Sequence, residues 1–99
     1  MIAELKDIDQ KLEEVLARFP DEVVAVRYST GHDWSGDPAV FFRIVLSDAA
    51  SKRPALADVT QRLQRELFDH LDFARSDYIP YFDFRSKTER DTLKDPTWP

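Results

Sequence analysis

From Ile2 the apolar residues Leu5, Ile8, Leu12, Val15, Leu16 and Phe19 recur at spacings of three and four, with Glu4, Asp7, Lys11, Glu14 and Arg18 between them. That spacing gathers the apolar side chains on one stripe and predicts an amphipathic helix over residues 3–19. Asp7/Lys11 and Glu14/Arg18 are acid-first pairs four apart, the favourable order on an exposed helix, and Pro20 ends the pattern by disfavouring helical geometry at Phe19. Residues 23–30 and 39–47 are rich in β-branched and aromatic side chains and read as two strands. Between them lies Gly31-His32-Asp33-Trp34-Ser35-Gly36-Asp37-Pro38, which holds both glycines of the chain and predicts a hairpin connection. Pro54 suits the first turn of a second helix, where its missing N–H costs nothing. Leu56, Val59, Leu63, Leu67 and Leu71 then form a stripe that carries this helix over residues 54–72. Residues 79–86 read as a third strand, and Pro80 places it at an edge or puts this residue at its start. From Lys87 onward the chain is polar and aperiodic, and its Trp98 has the option of folding back onto the body.

The order helix, strand, strand, helix, strand predicts an α+β fold, a two-layer sandwich in which both helices cover one face of a three-stranded sheet. A right-handed crossover sets the third strand parallel to the second, and the hairpin sets the first antiparallel to it. The expected product is a mixed sheet of order 1-2-3. One domain over residues 1–86 and a polar tail over residues 87–99 follow. In layout alone this order resembles the cytosolic domain of cation-diffusion-facilitator transporters; no metal-ligand motif of that family maps onto these residues.

Strand parity bears most directly on function. Val40, Phe42, Ile44 and Leu46 share one face with Val24, Val26 and Tyr28 and with Phe82 and Phe84, and this face should meet the helices. The opposite face then carries Val23, Ala25, Arg27, Phe41, Arg43, Val45, Tyr81, Asp83 and Arg85. The middle strand is thus apolar on both sides, although the chain has helices for only one. Phe41, Val45 and Tyr81 form an apolar centre, with Arg27, Arg43 and Arg85 near the rim, and Tyr and Arg are enriched where proteins meet. The expectation is a contact surface for a second copy or for another protein. The plainer alternative is a solvated surface on which Arg27 or Arg43 pairs with Asp83.

Composition narrows the remaining classes. The 99 residues suit one hydrophobic core, with 14 basic against 19 acidic residues and no cysteine. A net charge of −5 argues against the cationic footprint of nucleic-acid binding. Residues 1–22 hold seven acids against three bases, which leaves open an acidic antitoxin or inhibitor that neutralises a basic enzyme. No apolar run reaches the roughly 20 residues of a membrane span, and Met1 to Leu12 carry too many charges for a signal peptide. A cytoplasmic protein without a membrane partner is expected.

The loop over residues 31–38 is the second candidate site. His32, Asp33 and Asp37 are of the types that ligate a divalent metal or a small ligand, although three ligands on one loop make a poor cage. Trp34 suits either packing on the sheet edge or tail, or a role as interface anchor. His70, beside Leu67 and Leu71, reads as a partly buried structural residue. There is no glycine-rich phosphate loop, nucleophile elbow or zincin motif, and no cofactor is implied. The leading expectation is a non-enzymatic interaction module using the open sheet face.

Overall fold

The structure is a computed structural model that describes residues 7–99. Residues 3–6 of the first expected helix therefore lie outside the described residues. Within them the order is helix α1 (Ile8–Leu16), strand β1 (Val23–His32), strand β2 (Pro38–Leu46), helix α2 (Ala55–His70), a 3-10 turn at Phe73–Arg75, strand β3 (Ile79–Ser86) and helix α3 (Lys87–Leu93). The sheet order is β1-β2-β3, with β1 and β2 antiparallel and β2 and β3 parallel, as the hairpin and crossover rules require.

Burial of the apolar stripes unites the helices with one sheet face. Leu12, Val15 and Phe19 pack with Val59, Leu63, Leu67 and Leu71, and with Val40, Phe42, Ile44 and Leu46 of the middle strand. Phe42 lies at the hub: its ring stacks on Phe82 at 5.3 Å, meets Phe73 edge-on at 6.0 Å and tilts against Tyr28 at 6.1 Å. Such aromatic pairs add to the value of area burial.

Polar ties hold the helices in place. The Glu14–Arg18 pair of the sequence reading is not the one that forms: Arg18 pairs with Glu66 of α2, and Glu14 Oε2 lies 3.3 Å from His70 Nε2. The two helices lie side by side, so partners on the facing helix are nearer than those one turn along. Partly buried His70 has the structural place expected of it. The Tyr28 hydroxyl donates to Asp9 Oδ1 at 2.5 Å, tying β1 to α1. That bond, with partial burial and the Asp9 charge, pushes the phenol up to about 12.

Two expectations are corrected. Val24, assigned to the helix-covered face, is 44% exposed, while Val23, assigned to the opposite face, packs against the core. The cause is a register shift between Val23 and Ala25 in the β1–β2 ladder, since an extra residue in one strand reverses its alternation. The tail, although aperiodic in sequence, also holds a helix, α3. Ser86 caps α3 by accepting from Glu89 N at 3.0 Å, and Glu89 Oε1 accepts from Ser86 N at 3.1 Å, a reciprocal capping box. The Asp48 carboxylate takes Thr88 N at 3.0 Å and Thr88 Oγ1 at 2.7 Å, which fixes the start of the helix against the β2–α2 connection.

Candidate functional site

The outer sheet face, away from α1 and α2, is built of four cross-strand rows: Ala25–Val45–Arg85, Arg27–Arg43–Asp83, Ser29–Phe41–Tyr81 and Gly31–Ala39–Ile79. Its two halves differ. Residues 95–98 cross the first two rows as a strap. Arg27 Nη1 donates to the Pro96 carbonyl at 2.8 Å, and Arg43 Nη1 reaches that of Thr97 at 3.5 Å. The Arg85 guanidinium lies 4.3 Å from the Trp98 ring centroid and 3.7 Å from Asp95 Oδ2. Trp98 is 9% exposed and Val45 is fully buried. Val45 is therefore not at the centre of an open surface, because α3 turns the chain back and lays the strap over its row. The register sets Arg43 beside Asp83, but Arg27 and Arg43 instead turn to the strap carbonyls.

The other half remains open. The Phe41 and Tyr81 rings stack at 5.5 Å with an interplanar angle of 17°, both half-buried, and Ile79 in the next row is 39% exposed. The Tyr81 hydroxyl donates to Asp33 Oδ2 at 2.8 Å, which fastens the β1–β2 turn to the edge of this platform. Immediately after Asp33 comes Trp34, 93% exposed, so it packs on neither the sheet edge nor the tail.

The turn itself is shorter than the sequence suggests. Gly31 and His32 pair with Ala39 and Pro38, so the strands close down to residues 33–37, within the ordinary range of about two to five for a hairpin. Asp33 organises it: Oδ1 accepts from Ser35 N at 3.0 Å, Ser35 Oγ at 2.8 Å and Asp37 N at 2.9 Å, and Gly36 supplies the positive φ of 87°. The Ser35 hydroxyl, followed by Tyr81 and the backbone amides, holds the Asp33 carboxyl down at about 2. Of the candidate ligands, His32 is exposed at the end of β1, Asp33 is taken up by the turn, and Asp37 lies 3.1 Å from Ser35 Oγ. Among the described residues, no group of three or more His, Asp or Glu side chains is arranged to hold a metal ion.

Elsewhere, a cleft of about 420 Å³ is lined by Asp48, Ser51, Lys52, Ser86, Thr88 and Glu89. Asp48 is bonded there to Thr88, and Ser86 to Glu89. Among the described residues, no helix is long and apolar enough to cross a membrane. No family model matches the chain, and neither a curated protein nor a solved structure matches it.

Proposed function

We propose that this protein is a non-enzymatic interaction module that engages protein through the open half of its outer sheet face, as a homodimer or as a small acidic subunit of a larger assembly. The observation that carries the reading is Trp34, 93% exposed and next in the chain to Asp33, whose carboxylate accepts from Tyr81 of the stacked Phe41–Tyr81 pair. A large rigid aromatic left in water has no stabilising role in the monomer, whereas at interfaces Trp and Tyr anchor binding energy. Asp33 fixes the turn through its own bonds and through Tyr81, so the Trp backbone is held before any partner arrives. That limits the ordering cost of association.

Of the two forms, the homodimer is the one we propose first. In a self-complementary contact about a two-fold axis, the exposed Trp34 of one copy has the Phe41–Tyr81 pair of the other as an apolar partner surface. Cytoplasmic residence accords with the absence of cysteine. Light scattering on the full chain tests the reading: a dimer that Phe41→Glu converts to monomer supports it, and a monomer at all concentrations removes the homodimer.

A further inference from the structure

The strap is a bound peptide in all but connectivity, and its contacts have the character of recognition. Asp95 Oδ1 accepts from Thr97 N at 2.9 Å and Thr97 Oγ1 at 2.6 Å, and Trp98 N donates to the Asp95 carbonyl at 3.1 Å. With Pro96 in the second position this is a self-contained turn, formed by local bonds and equally available to any chain with the same four residues. The sheet reads it in two ways. Arg27 and Arg43 hold main-chain carbonyls, which every peptide offers, while Arg85 meets the two side chains that carry sequence, Asp95 by charge and Trp98 by its ring face.

The resident fit is incomplete. Arg85 Nη1 is buried without a hydrogen-bond partner, and the nearest carboxylate oxygen of its ion pair stands at 3.7 Å, beyond hydrogen-bonding reach. The strap also leaves α3 through Lys94 at a φ of 50°, left-handed backbone that is unfavourable for a non-glycine residue. A peptide from another chain would dock without that linkage. Charge agrees: in a chain of net charge −5, this half-face sets three arginines against one acid, Asp83, so it favours a ligand that carries negative charge.

We propose that the arginine half of the outer face is a peptide-binding groove, that its ligand is an Asp-Pro-x-Trp turn presented by a partner protein, and that residues 95–98 are its resident, displaceable occupant. This rests on the outer face being a contact surface, but it uses different rows from the aromatic platform. Phe41→Glu, which breaks the homodimer, leaves peptide binding unchanged, so the two readings fail separately.

The test is fluorescence anisotropy with a labelled Lys-Asp-Pro-Thr-Trp-Pro peptide and the full chain carrying Trp98→Ala, which vacates the ring site. The vacated protein binds the peptide, and adding Arg85→Ala reduces that binding at least about tenfold, the scale of losing a desolvated cation–π and charge contact. Wild-type protein binds at least about tenfold more weakly than the vacated one, because a tethered competitor has a millimolar effective concentration. No binding at millimolar peptide to a Trp98→Ala protein with a wild-type circular dichroism spectrum overturns the proposal, as does binding indifferent to Arg85. Should the Trp98→Ala protein lose its fold, added peptide must restore it by mass action, and failure to do so is equally fatal. A wild-type dimer that Trp98→Ala alone converts to monomer also overturns it, in favour of strap exchange between two copies.

Discussion

Replacing Trp98 with alanine measures what the strap contributes to the fold. A tryptophan buries about 150–250 Å², which at about 25 cal/mol per Å² corresponds to about 4–6 kcal/mol as an upper bound. Trp→Ala changes at packed sites cost about 3–5 kcal/mol. The expected loss lies below that range because the strap is free to detach, and each released residue recovers at least about 1 kcal/mol of backbone entropy. We expect about 2–3 kcal/mol, or about 10–20 °C in Tm for a domain of this size. A domain stable by about 5–15 kcal/mol survives that loss. Urea melts give the number, and tryptophan emission identifies the site: Trp98 at 9% exposure should emit to the blue and Trp34 at 93% to the red. Trp34→Ala should cost less than about 0.5 kcal/mol and leave only the blue component. A loss below about 0.5 kcal/mol for Trp98→Ala, with the emission weaker but its maximum unmoved, would refute a docked strap.

Other substitutions probe the core and the turn. Phe42→Ala and Leu63→Ala should each cost about 2–5 kcal/mol in denaturant melts, since both side chains lie fully within the core. The bulge predicts an asymmetry between neighbours: Val23→Thr should destabilise measurably and Val24→Thr should change stability by less than about 0.5 kcal/mol, whereas the opposite order would deny the register shift. Asp33, held at about 2 against an ordinary 3.8, lends the folded state stability that is fully present above about pH 4 and fades as the pH falls towards 2. Asp33→Asn should flatten the acid limb of a stability-versus-pH curve, and an unchanged limb would place the carboxylate outside the turn.

The architecture was legible because each element advertised itself locally. The leucine stripe of α2 and the alternation of β2 survive in the structure, and β3 spans the same residues 79–86 in both readings. The bulge at Val24 was not, since an extra residue leaves composition untouched and reverses only the parity before it. The α3 helix was missed despite the Ser-Lys-Thr-Glu spacing of a capping box at residues 86–89, because seven residues without an apolar stripe give no periodic signal. Of the residues of the proposed interface, strand parity alone places Phe41 and Tyr81 on the open face. The cover over Val45 depends on contacts between residues 27, 43 and 85 and residues 95–98, separations that no local pattern encodes. The Asp33–Tyr81 bond, 48 positions apart in sequence, belongs to the same class.

In the proposed homodimer the open half of the outer face joins two copies of this chain. Sedimentation equilibrium on the full chain, from micromolar to millimolar concentration, tests it most directly. The expected result is a monomer–dimer equilibrium that Trp34→Ala and Phe41→Glu each weaken at least about tenfold, as befits anchor residues. Asp91→Asn, on the exposed side of α3, should leave that equilibrium unchanged. A wild-type monomer across the whole range, or a dimer indifferent to both Trp34 and Phe41, would contradict it.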